Sequence, residues 1–310
     1  MISGSAIALV LALVVAAVVY QRNNQAIEPL PGGTPIPTQP PATPPGTTAR
    51  VSTYWIKQGD NNRQVDIVTP PDLRPGERLP VVLVLHGLGG NPGQFLPQAG
   101  WYAAVPARRF IAVGPAGLNN SWNADGCCRP ATLFGTDDMT FLDAVVSDLL
   151  TRPQVDPKRL YMVGASNGAM MTFRYLCAHA DRITAAATVI GSNISGCQPN
   201  RPISILQVAG RDDLTVPYDG GNSLVGVVVA SKPFPSMLGS TSAIAKTDGC
   251  GPDPQPSAAL TPSVSVQRWS GCTTGVDVQL VTIAGWGHEW PTAPTYDATA
   301  AVLDFFGIRS

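Results

Sequence analysis

Gly164-Ala165-Ser166-Asn167-Gly168 stands between a short apolar run, Leu160-Tyr161-Met162-Val163, and the stretch Ala169 to Leu176, which has no Pro or Gly and carries apolar residues at helical spacing. The order predicts a buried strand, a tight turn and a helix. A G-x-S-x-G turn at that junction is an elbow. Small residues at both ends let the backbone reverse sharply and lift the Ser166 hydroxyl clear of the sheet, while the helix aims its partly positive N-terminus at the same spot. A glycine-rich turn that happens to contain serine would explain the five residues alone, but not the strand and helix around them. Ser166 is the candidate nucleophile.

A serine hydroxyl needs an adjacent base near neutral pH, and the base needs a carboxylate to orient it. The chain has only three histidines. His179 ends the helix that follows Ser166 and suits the carbonyl end of its dipole. His86 opens His86-Gly87-Leu88-Gly89-Gly90, directly after the apolar run Val81 to Leu85, and that stretch predicts an oxyanion loop. His288 remains as the candidate base, in Gly285-Trp286-Gly287-His288-Glu289-Trp290-Pro291, just past the strand-like Val278 to Ile283. The acid belongs in the turn after a strand between serine and histidine. Ile203 to Ala209 is that strand, and Asp212 and Asp213 follow it side by side. Spacing does not separate them. The backbone amides of Leu88 and Asn167 are the expected oxyanion donors. Trp122 and Trp290 fall in loops at the same end and are expected to touch substrate.

Apolar runs at Val81–Leu85, Phe110–Val113, Leu160–Val163, Ala185–Ile190, Ile203–Val208 and Val278–Ile283 alternate with helical stretches, clearest at Asp138–Leu150, Asn167–Ala180 and Tyr296–Phe306. The alternation predicts an α/β fold, a mostly parallel sheet flanked by helices. Val51–Ile56 and Gln64–Val68 read as an opening hairpin. Residues 220–272, rich in Ser, Pro and Gly, read as an insertion over the sheet edge with one helix near Ser236–Thr247. Asp137 and Asp138 read as helix-capping residues.

In 310 residues the net charge is −1 and 13% of residues are charged, so no basic surface for nucleic acid is expected. Six cysteines without a C-x-x-C pair, beside three histidines, predict no metal site. Residues 1–27 hold an apolar run, Ala6 to Val19, that reads as a signal peptide or membrane anchor, and 28–49 form a Pro/Thr-rich linker. The catalytic domain is expected at 50–310. An even cysteine count behind an export-like segment predicts up to three disulfides. Cys250–Cys272 is the expected bridge, and the other four cysteines leave three pairings open.

From about Tyr54 onward the chain resembles the secreted polyhydroxybutyrate depolymerases and feruloyl esterases. The resemblance rests on Leu85-His86-Gly87-Leu88-Gly89-Gly90, Ser121-Trp122-Asn123 with Cys127-Cys128, Asp137-Asp138 with Phe141 and Val155-Asp156-Pro157. It continues through Gly164 to Met171, Asp213-Leu214-Thr215-Val216-Pro217-Tyr218 and Gly287-His288-Glu289-Trp290-Pro291. It implies an α/β-hydrolase fold and an exported, monomeric serine esterase that takes polyester, feruloyl or short acyl esters without a cofactor. The family's acid stands four residues before the Pro of its Asp-x-x-Val-Pro motif, which selects Asp213. Leu88, where many members carry a polar residue or cysteine, and Ala209-Gly210, where members often have His-Gly, depart from the pattern. The competing functions are a serine peptidase of the same fold and a non-catalytic surface binding protein on a hydrolase scaffold.

Overall fold

The structure is a computed structural model that describes residues 48–255 and 258–309. The expected signal or anchor at 1–27 lies outside the described residues, as does the linker except for its last two positions. No helix among the described residues is long and apolar enough to cross a membrane.

Ten strands form one sheet: β1 (Arg50–Gln58), β2 (Asn61–Thr69), β3 (Leu79–Leu85), β4 (Ile111–Pro115), β5 (Val155–Ala165), β6 (Ala185–Val189), β7 (Ser204–Gly210), β8 (Ala258–Thr261), β9 (Val264–Arg268) and β10 (Val278–Ile283). Their spatial order is β1-β2-β4-β3-β5-β6-β7-β10-β9-β8. The six from β4 to β10 pair in parallel, and antiparallel strands close both edges. All seven residues of β3 are buried. Strand alternation sends Val81, Leu83 and Leu85 into one core and Val82 and Val84 into the other.

Helices cover both faces. α1 (Pro92–Gln98), α2 (Trp101–Arg108) and α7 (Ala298–Phe305) pack in the core that holds Val82; α3 (Asp138–Thr151), α4 (Asn167–His179) and α6 (Met237–Thr247) pack in the one that holds Leu83. The one-turn α5 (Gly226–Val229) precedes α6. Caps fix several starts: Asn91, Asp137, Ser236 and Asp297 each accept a backbone N–H from the first turn of their helix.

Two expectations need correction. Residues 220–272 do not simply lie over the sheet edge. They contribute α6 and then extend the sheet itself through β9 and β8, because the outer side of β10 offers unpaired backbone groups that an antiparallel hairpin satisfies. Of the two aspartates at the start of α3, only Asp137 caps, accepting from Thr140 N at 3.1 Å. Asp138 is fully buried and pairs with Arg63 at 2.7 Å, while its second oxygen accepts from Asn123 N at 2.7 Å. The Arg63 guanidinium lies 3.6 Å from the Phe141 ring centre. Burial pushes the Asp138 carboxyl up and the Arg63 guanidinium down, each against the pull of its partner. Removing one partner strands the other in the core. Asp138→Ala is therefore expected to destabilise the domain by about 3–5 kcal/mol. Urea unfolding checks this, and a loss below 1 kcal/mol contradicts it.

All six cysteines are bonded, as Cys250–Cys272, Cys177–Cys197 and the adjacent pair Cys127–Cys128. Cys177–Cys197 ties the last turn of α4 to the segment that leads into β7.

Candidate active site

The elbow connects β5 to α4. Ser166 adopts φ 53° and ψ −116°, a conformation that side chains other than glycine rarely take and that persists where surroundings enforce it. Its N–H donates to Val189 O at 2.9 Å, which holds the turn against β6. The flanking glycines are required by space. A Cβ on Gly164 would overlap the Gly168 carbonyl, and one on Gly168 would overlap the carbonyls of Leu85 and His86.

The structure brings Ser166, His288 and Asp213 into one line. Ser166 Oγ lies 2.8 Å from His288 Nε2, and His288 Nδ1 lies 2.7 Å from Asp213 Oδ2. Asp213 has no exposed side-chain surface. Its other oxygen accepts from the amides of Thr215 and Val216, both at 2.8 Å, so the carboxylate is anchored before it meets the imidazole. Asp212, its neighbour, is exposed and bonds through its backbone N–H to Trp286 O. His179 lies away from this line, 3.5 Å from Asp143 and stacked on Tyr175.

The loop after β3 is pinned by His86. Gly117 N–H donates to His86 Nε2 at 2.9 Å, so the ring proton sits on Nδ1, which donates to Gly87 O at 2.7 Å. Burial pushes the imidazole down to about 4, which keeps it neutral and able to accept at neutral pH. Beyond it, the Leu88 and Asn167 backbone N–H groups meet no acceptor among the described residues, whereas Gly89 N and Gly90 N are both engaged. Leu88 lines the same cavity as Ser166, and Asn167 follows Ser166 in the chain.

Trp122 requires correction. It is fully buried and does not line the cavity beside Ser166. Its indole N–H donates to His86 O at 2.9 Å, and its backbone exchanges two bonds with the Asn167 side-chain amide, at 2.7 and 2.9 Å. It therefore joins the His86 loop to the elbow from behind. The cavity itself, of about 240 Å³, is lined by the His86 loop, Ser166, Ile190, His288 and Trp290. Gln94, Phe95 and Gln98 of α1, which no sequence motif marks, complete its wall. Among the described residues no group of three His, Cys, Asp or Glu side chains lies together to hold a metal ion.

No family model matches the chain. It is 31% identical over 243 residues to feruloyl esterase B of Piromyces equi, an alignment that covers 73% of this chain and 42% of that protein. It is 29% identical over 178 residues to feruloyl esterase C of Emericella nidulans, covering 55% of this chain and 62% of the relative. The chain thus spans less than two thirds of the length of either. The solved structure of an acetyl xylan esterase from Aspergillus awamori superposes with a TM-score of 0.59 at 16% identity, over 83% of this chain and 99% of that one. That likeness fixes the fold as that of an α/β-hydrolase, and in sequence the chain is similar to feruloyl esterases over the part of them that it covers.

Proposed function

We propose that the chain is an exported serine esterase that hydrolyses carboxylic esters through an acyl-enzyme. The observation that carries this is the hydrogen-bonded line from Ser166 through His288 to Asp213, opening on a cavity beside two unengaged amides. Ser166 Oγ attacks the ester carbonyl as His288 Nε2 takes its proton. Asp213 holds the Nδ1–H and stabilises the imidazolium. His288 then returns the proton to the leaving alcohol, and a water activated in the same way releases the acid. Leu88 and Asn167 donate to the oxyanion formed in each half-reaction, and a donor so placed contributes about 3–4 kcal/mol to the transition state. Feruloyl esters are the substrates the relatives' names suggest.

The purified protein is expected to hydrolyse p-nitrophenyl acetate and methyl ferulate without added metal or cofactor. Cleavage of peptide p-nitroanilides with no turnover of either ester would contradict the reading. Export is supported by the apolar run Ala6 to Val19 and by three disulfides, which persist in oxidising compartments. Recovery of the protein solely from the cytosol of the producing cell would contradict it.

Trp122 acts here as a positioning residue for both oxyanion donors. Trp122→Phe keeps an aromatic ring in the core but leaves His86 O without its donor. It is expected to lower kcat about 10- to 100-fold with little change in KM, since small misplacements at a reacting centre act on the transition state. A change confined to KM would contradict that role.

A further inference from the structure

We propose that Ile190 sets the acyl specificity of this site. Its side chain stands beside the reacting carbonyl and excludes acids that are branched at the adjacent carbon, while acids that are straight or flat there fit. The inference rests on the esterase reading and names the shape of acyl group the site takes.

The backbone at Ile190 leads to it. Six described residues other than glycine adopt a positive φ, and two of them, Ser166 and Ile190, line the cavity. Ile190, at φ 50°, is the one β-branched residue among the six, and a branched Cβ makes that left-handed conformation costly. Glycine or asparagine would adopt it with less strain. The chain carries isoleucine instead and enforces the conformation from two sides. Ile190 N–H donates to Val208 O at 2.8 Å. The next carbonyl, Gly191 O, accepts from Gln207 Nε2 at 3.0 Å, and Gln207 Oε1 accepts from Thr241 Oγ1 at 2.5 Å. Gln207 of β7 and Thr241 of α6 are both buried, so the core itself holds this turn. Strain over-determined in this way clusters at sites where a side chain has to stand in one place.

That place is next to the nucleophile. Ser166 N–H donates to Val189 O at 2.9 Å, and a Cβ on Gly191 would come within 2.6 Å of Ser166 O. The residues on either side of Ile190 thus touch the backbone of Ser166. Depth decides which part of the ester meets the Ile190 side chain. Ile190 is buried, whereas His288 and Trp290 are half-buried and Gln94 and Gln98 are exposed, so Ile190 forms the closed side of the cavity. The alcohol takes its proton from His288 and has to depart through the open side. The acyl group stays bonded to Ser166 Oγ through both half-reactions and keeps to the closed side. A branched aliphatic wall there leaves no space for a second substituent on the carbon next to the carbonyl. Acetyl, straight-chain acyl and planar cinnamoyl groups carry none.

Two pairs of isomeric esters test this. p-Nitrophenyl butyrate and p-nitrophenyl isobutyrate differ only in where one acyl carbon stands, and propyl acetate and isopropyl acetate differ in the same way in the alcohol. Within each pair the kcat/KM of the straight isomer over that of the branched one is divided by the same ratio for hydroxide ion, which removes intrinsic reactivity. Because the ratio is taken within one protein, any general loss of activity in a variant cancels. The wild type is expected to favour butyrate by about 10-fold or more, since one carbon that an apolar pocket cannot place changes kcat/KM by about 10- to 200-fold. Ile190→Val is expected to reduce that preference, and Ile190→Ala and Ile190→Gly to remove it; glycine also suits the backbone at this position. The alcohol pair is expected to give the same ratio in all four proteins. A wild type indifferent to the acyl branch, a preference that survives in Ile190→Ala and Ile190→Gly, or a response confined to the alcohol pair overturns the inference. Should the two small variants fail to fold, an unchanged preference in Ile190→Val overturns it. If the wild type fails to hydrolyse p-nitrophenyl acetate, the esterase reading falls and the inference falls with it. Turnover of that ester with indifference to the acyl branch overturns the inference alone.

Discussion

Ser166→Ala is expected to lower turnover of p-nitrophenyl butyrate by about 10⁶-fold, and His288→Ala by a comparable factor. The two losses should not multiply. Ser166 Oγ and His288 Nε2 exchange a single proton across 2.8 Å, so removing either group removes the whole transfer. A double variant should be no worse than the single ones. Residual activity of about 10³ over water is expected in all three, because the Leu88 and Asn167 amides and the cavity remain. Steady-state assay beside circular dichroism checks this. Near-normal turnover in either folded variant would contradict it.

The second large effect separates two adjacent aspartates. Asp213→Asn keeps the size of the side chain and lets its amide donate to His288 Nδ1. The ring proton then moves to Nε2, where it can no longer accept from Ser166. A loss of about 10⁴ in kcat is expected. Asp212→Asn should change kcat by less than about threefold, since exposed side chains away from such features contribute little. Asp212 is exposed and bonds into the site loop only through its backbone N–H. A crippled Asp212→Asn beside a mild Asp213→Asn would reverse the assignment.

The same pair of residues shows where the chain was legible and where it was not. The strands before and after them are buried on both faces, so they appear as runs rich in Val, Leu and Ile, interrupted only by single residues such as Gln207, Gln279 and Thr282. What distinguishes Asp213 from Asp212 is a turn in which Asp213 accepts from two following amides and faces inward. That geometry has no signature in composition or spacing. The family resemblance selected Asp213, and the structure brings that residue to His288.

The α1 side of the site was hidden for a different reason. α1 and α2 are seven and eight residues long, and each has a proline in its interior, Pro97 and Pro106. Segments so short and so interrupted show no helical period, although Asn91 and Pro92 form an ordinary helix start. Gln94, Phe95 and Gln98 therefore carry no helical signal in the sequence. The position of Trp122 in a loop suggests an accessible ring, but the structure buries it. Its indole N–H and both backbone groups instead found partners inside the protein, and a tryptophan so satisfied has no reason to face solvent. The buried Arg63–Asp138 pair joins residues far apart in the chain, and nothing local marks either as buried.

The central claim is that Ser166 forms the covalent acyl bond, and a suicide label tests it most directly. Diethyl p-nitrophenyl phosphate transfers a diethylphosphoryl group to an activated serine and expels p-nitrophenolate. Treated protein is digested and the modified peptide located by mass spectrometry. The account predicts one diethylphosphoryl group per chain, on Ser166, appearing in step with the loss of esterase activity and absent from Ser166→Ala. Inhibition with the label on another residue, or ester hydrolysis that persists with Ser166 fully labelled, would contradict it.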